Sequence, residues 1–232
     1  MKEDAITIDV VRAARRVLSD VSIDGDDAKV QIVAQVYKAH GTLEERFGDL
    51  GVLVKVIYRD GQTVEGAAFY EAKRRDWESN KLPAAKRGQL AKMHRNGRLL
   101  VFDPHRVVTR LTEIVYVPWW DEFRYPGPTH IAPVTQALSI PLGPVLQTKF
   151  DTSLYKFGTP FACQLVLRNL QGLDLDHDED TLDLARGYAK RKGVPDGVVV
   201  PQVVLAVAVR EGPGEPLLPQ IDQRRLRRVQ GD

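Results

Sequence analysis

Gly51-Val52-Leu53-Val54-Lys55-Val56-Ile57-Tyr58 and, a few residues on, Val64-Glu65-Gly66-Ala67-Ala68-Phe69-Tyr70-Glu71-Ala72-Lys73 are the two runs on which the fold turns. Both are dense in Val, Ile, Phe and Tyr, side chains that pack well on a pleated surface. Asp60-Gly61 between them is a strong hairpin signal. Residues two apart on a strand face the same way, so Glu71 and Lys73 share a face. Asp49 lies just ahead of the first run, and its placement depends on the turn. A two-residue loop, Asp60-Gly61, pairs Arg59 with Gln62 and sets Asp49 opposite Ala72, facing away from Glu71 and Lys73. A three-residue loop, residues 60–62, sets Asp49 opposite Lys73 and on its face. A site built from Asp49, Glu71 and Lys73 therefore requires an odd loop or a bulge in this hairpin.

Working outward, residues 5–19 carry Ile6, Val10, Val11, Ala14, Val17 and Leu18 at helical spacing. Residues 24–27 form a turn and helix-start signal, and a second helix is expected over 27–38, with Val30, Val33, Ala34 and Tyr37 as its stripe. A short turn over 43–47 leads into the hairpin. Beyond the hairpin, Pro83 opens and Asn96-Gly97 closes a helix over 83–95. Leu99-Leu100-Val101-Phe102 reads as a buried strand, and 113–117 as another. Residues 119–133 and 141–144 read as irregular. Helices are expected within 155–170 and over 181–192, and a long buried strand over 198–209, bent at Pro201. The alternation argues an α/β fold with a mixed sheet. It is read as a single domain over 1–210 with its core at 28–104. The remainder, 211–232, is read as a flexible basic tail ending in Arg224-Arg225-Leu226-Arg227-Arg228.

Composition bounds the function. The 232 residues are 43% hydrophobic and 28% charged, with a net charge of +2, values ordinary for a globular protein with a full core. Nucleic-acid binding would need a local basic patch, because there is no global positive field. A single cysteine, Cys163, excludes an internal disulfide framework or a cysteine-based zinc site, and its apolar neighbours read it as a structural thiol. No apolar run approaches the ~20 residues of a bilayer span, and no signal-peptide core opens the chain. A cytoplasmic protein without membrane attachment is the expectation.

Phosphodiester cleavage needs a divalent cation on the scissile phosphate, an activated water and an offset for developing negative charge. Magnesium takes oxygen ligands, commonly one or two carboxylates. Asp49 and Glu71 could supply these, with the carbonyl of Ala72 as a third protein ligand and Lys73 projecting beside the metal. Glu-x-Lys is a short pattern, and most matches to it are plain charge pairs. The upstream acid, the hairpin and the following helix and strand add the context of a site.

With Glu44, Glu45, Gly48-Asp49-Leu50-Gly51 and Glu71-Ala72-Lys73, followed by Gln89, Met93 and the apolar run 99–102, the chain resembles the PD-(D/E)xK nuclease superfamily. The likeness is to bacterial members with a Gly-Asp motif followed by Glu/Gln-Ala-Lys. It covers residues 28–104, and the chain lacks the alanine common between Gly and Asp in those members. The resemblance implies a restriction-endonuclease-like mixed central sheet flanked by helices, and Mg²⁺ or Mn²⁺ as cofactor. It implies an endonuclease acting on DNA more readily than RNA, in defence or DNA processing, with a protein partner or as a homodimer. It also implies a catalytic set of Asp49, Glu71, Lys73 and a supporting glutamate, Glu45 ahead of Glu44.

Arg74, Arg75 and Gln89 are the candidate nucleic-acid contacts, at the head of a basic segment running to Arg98. Two other readings stay open. One is a catalytically inactive nuclease-like subunit that binds nucleic acid or scaffolds an assembly. The other is an unrelated α/β enzyme using the cluster Asp174, Asp176, His177, Asp178, Glu179 and Asp180, although a solvated loop and helix N-terminus explains that cluster more simply. Trp119, Trp120, Phe123 and Tyr125 could stack on bases or pack on the core.

Overall fold

The computed structural model describes residues 3–19, 21–24, 29–40, 45–75, 82, 90, 93, 97–107, 132–147, 150–189 and 199–229. A helix, α1 (Glu3–Leu18), precedes β1 (Ser22–Asp24), β2 (Lys29–Ala39) and β3 (Glu45–Arg46). The hairpin strands are β4 (Leu50–Ile57) and β5 (Thr63–Arg74), followed by β6 (Arg98–Val107) and β7 (Ala132–Pro141). Then come α2 (Leu142–Gln147), β8 (Thr159–Pro160), α3 (Phe161–Leu167), α4 (Glu179–Arg186), β9 (Val199–Val200), β10 (Val203–Glu211) and β11 (Leu226–Arg228).

Nine strands form one mixed sheet in the order β1-β2-β10-β4-β5-β6-β7-β8, with β11 also on β2. β3 and β9 pair separately, in parallel. The chain is thus α/β, with an open mixed sheet flanked by helices. β10 enters between β2 and β4, antiparallel to the first and parallel to the second. Its run Val203-Val204-Leu205-Ala206-Val207-Ala208 is buried throughout, as a strand covered on both faces requires. On one face, Val52, Val54, Ala68, Tyr70, Leu100 and Phe102 pack with Val11 and Leu18 of α1 and with Phe161 and Leu165 of α3. On the other, Leu53, Ala67, Phe69, Leu99 and Val101 pack with α2 and α4. Among the described residues no helix is long and apolar enough to cross a membrane.

The helix expected over 27–38 is instead the strand β2. Its stripe of Val30, Val33, Ala34 and Tyr37 fits a helix, but Val30, Ile32, Ala34 and Val36 also alternate with period two. β-Branched density and nine paired positions with β10 decide for the strand. Residues expected to be irregular at 141–144 close β7 and open α2. The expected tail is docked: Leu226 is buried, and β11 pairs with residues 37–39 of β2. The strand expected over 198–209 is present but split at Pro201 into β9 and β10. Most of the helix expected at 83–95, the strand at 113–117 and most of the aromatic loop at 119–133 lie outside the described residues.

Candidate functional site

The hairpin is the origin of the site. Tyr58 N–H donates to Gln62 O at 2.9 Å and Gly61 N–H to Tyr58 O at 2.9 Å. The loop is therefore Arg59-Asp60-Gly61, three residues, closed by Gly61 at φ +84°. An odd loop is the parity that a site built from Asp49, Glu71 and Lys73 requires, here one residue earlier than residues 60–62. The ladder runs from Ile57 opposite Thr63 to Leu50 opposite Tyr70, so Asp49 arrives beside Glu71 rather than Lys73.

The ladder then ends irregularly. Gly48 sits at φ +73°, and Asp49 N–H donates to Tyr70 O at 2.9 Å. Asp49 reaches across to β5, where its Oδ2 accepts the Ala72 N–H at 2.7 Å. Ala72 is the residue between Glu71 and Lys73, so the carboxylate caps the strand at the centre of the motif. A residue's N–H and C=O lie on the same edge of a strand, so the Ala72 carbonyl is turned to Asp49's side too.

Glu71 is buried, 3% exposed. Lys73 Nζ donates to Glu71 Oε1 at 2.8 Å. Both stand on the face whose floor is Phe69, Leu99 and Val101, with Phe47 edge-on to Phe69 at 5.0 Å. An apolar floor keeps the local dielectric low and strengthens every charge interaction above it.

Two residues beyond Lys73, Arg75 lies on the same face. This candidate nucleic-acid contact is buried, and Asp103 Oδ1 accepts from its Nε at 2.7 Å and from its Nη2 at 2.6 Å. Asp103 escaped the sequence reading. The available signal was an acid immediately after the apolar run 99–102, in register with Arg75 once β5 and β6 pair in parallel. Tyr155 lies nearby. Its hydroxyl is buried. Burial first, then Asp103's hold on its proton and Asp103's charge, push the phenol pKa up.

Arg74, by the same period of two, falls on the opposite face from Lys73. The backbone of Glu45 lies in β3, but its side chain, like Glu44 and Gln89, lies outside the described residues. Among the described residues there is no group of three or more His, Cys, Asp or Glu side chains placed to hold a metal. Of the oxygen donors that the sequence nominates, Asp49, Glu71 and the Ala72 carbonyl are the ones among the described residues.

The acidic cluster at 174–180 is spent on local structure. Asp178 caps α4, accepting from Asp180 and Thr181 N–H. His177 Nδ1 lies 2.9 Å from Glu65 O. Asp174 is gripped by Arg168 at 3.0 and 3.1 Å and by Gln164 at 3.0 Å. The Arg168 bonds above all hold its carboxyl down at about 2, against the opposing effect of burial. Comparison of the chain with models of protein families, with curated proteins and with solved structures finds no match in any of the three.

Proposed function

We propose that this chain is a metal-dependent nuclease with a restriction-endonuclease-like core, DNA being the favoured substrate. The observation that carries the reading is the Asp49 carboxylate seated on the amide between Glu71 and Lys73. The topology around it agrees with the reading: an antiparallel hairpin, then a strand parallel to its second member and adjacent to it.

The donor set fits a hard cation. Asp49, Glu71 and the Ala72 carbonyl offer oxygen only, as Mg²⁺ or Mn²⁺ prefers, with remaining positions for water and phosphate. When bound, the ion supplies Lewis-acid charge to the phosphate. The protein's own residues do the rest. Asp49 is fixed by the Ala72 amide, so it loses little freedom when a ligand arrives. Glu71 holds the Lys73 ammonium on the site's face, where it can donate to a phosphate oxygen or orient the attacking water. The apolar floor keeps bulk water from screening that charge.

The test is cleavage of supercoiled plasmid and of single-stranded DNA in Mg²⁺ or Mn²⁺ against EDTA, with Lys73→Ala and Glu71→Ala beside the wild type. Each substitution is expected to lower the rate at least ~100-fold, with circular dichroism unchanged. Cleavage that survives both ends the assignment. Salt-sensitive DNA binding by a wild type that never cleaves turns the reading to the inactive subunit.

A further inference from the structure

We infer that Arg75 binds the phosphate next to the one that Lys73 addresses, and that Asp103 is its positioning residue. The inference rests on the nuclease reading for the identity of its ligand. Lys73 and Arg75 stand on one face, about 7 Å apart along the strand, a spacing comparable to one step of a nucleic-acid backbone. β6 runs parallel to β5 with Val101 opposite Lys73, so Asp103 arrives beside Arg75.

Asp103 fixes the guanidinium plane and uses one edge of its fork. Among the described residues, nothing accepts from Nη1. The Tyr155 hydroxyl is buried beside the pair, with Asp103 drawing on its proton. The pair's side chains are only 9% and 1% exposed. Such a buried pair is a poor device for stability, because apolar residues of equal volume commonly do as well. A guanidinium already locked in orientation, however, loses less freedom on gripping an oxyanion.

The experiment measures binding of a short duplex and a short single strand of DNA across a salt series, in EDTA so that nothing is cleaved. It compares wild type, Arg75→Lys, Arg75→Gln, Asp103→Asn and the double variant R75M/D103L. The double variant replaces both charges of the pair by apolar side chains, so neither is left facing a lost partner. Its melting temperature reports whether the fold is kept. Arg75→Gln and the double variant are expected to bind about ten- to a hundredfold more weakly. Their dependence of log affinity on log salt should flatten by about 0.9 for duplex or about 0.7 for single strand, one phosphate contact. Asp103→Asn should weaken binding while keeping the slope, because the charge remains but is no longer oriented. Arg75→Lys should restore the slope without the full affinity. A folded double variant with wild-type affinity and slope overturns the inference, as does a wild type that binds neither DNA. Slope loss in a protein that never cleaves upholds the phosphate contact and sinks only the nuclease reading. Lys73-dependent cleavage with indifferent Arg75 variants does the reverse.

Discussion

Single residues divide into those whose role follows from local spacing and those whose role follows from pairing across the sheet. Glu71 and Lys73 belong to the first kind: a period of two places them together whatever the rest of the chain does. Asp103 belongs to the second. Its partner Arg75 is set by parallel register between strands that are distant in sequence, and nothing local announces it. Asp174 is intermediate, an acid in a visibly acidic stretch whose partners Arg168 and Gln164 only the fold reveals. It makes a pH prediction. Its carboxyl is held at about 2, below the ordinary 3.8. A depressed value means that the ionised form stabilises the fold, in full above about pH 4, and that this contribution is lost as pH falls toward 2. Asn tolerates the backbone that Asp174 adopts at φ +56°, so Asp174→Asn removes the charge, and one acceptor oxygen with it, without straining the chain. The variant is expected to be less stable at pH 7 by under about 1 kcal/mol, because the pair is part-exposed and screened. The deficit should close between pH 4 and 2. Urea melts at pH 2, 3, 4 and 7 check this; a deficit constant across that range contradicts it.

At the scale of elements, the hairpin was legible because two β-rich runs flank a turn signal, and so was the requirement for an odd loop. The actual loop residues were not, since Asp60-Gly61 fits either length. β2 was misread because Val30, Val33, Ala34 and Tyr37 satisfy a helical stripe, and only its pairing with β10, 165 or more residues away in sequence, decides otherwise. The hairpin's two left-handed glycines separate stability from function. Gly61, at φ +84°, has open space where a Cβ would go, so Gly61→Ala meets backbone strain alone, about 1 kcal/mol. At Gly48, φ +73°, a Cβ would stand 3.0 Å from Tyr70 O and 3.4 Å from Met93 Cε. Gly48→Ala adds a clash to the strain and shifts Asp49, the next residue. Both variants should lose stability in urea melts, Gly48→Ala the more, by about 2–3 kcal/mol. Under conditions where both stay folded, the proposed nuclease function predicts that only Gly48→Ala loses cleavage. Equal cleavage by the two would mean that Asp49 need not sit where it does.

For the whole molecule, the C-terminal segment decides what covers the outer edge of β2. Its Pro, Gly, Gln and Arg content reads as a tail because composition cannot register one well-placed leucine. Leu226 is fully buried, packed with the face that holds Leu53, Phe69 and α4. Asp222, also buried, accepts from the Arg224 backbone and side chain, folding the basic run back on itself. β11 covers residues 37–39 of β2, and β1 covers 29–31 at the other end. Val229 N–H donates to Val36 O at 2.8 Å, and its carbonyl accepts from Gln35 Nε2. The outer edge of β2 is thereby closed at both ends, the usual protection against edge-to-edge association. Two consequences separate. Leu226→Ala removes buried methyl groups and should cost about 2–5 kcal/mol, roughly 5–15 °C in melting temperature for a chain of this size, with the chain still monodisperse. A chain ending at Pro213 loses Leu226 and also bares residues 35–39 of the edge. It should melt lower still and associate as concentration rises, by light scattering across a dilution series. If the truncated chain melts with the full one and shows no concentration dependence, the segment is the flexible basic tail that its composition suggests, and the edge of β2 needs no cover from it.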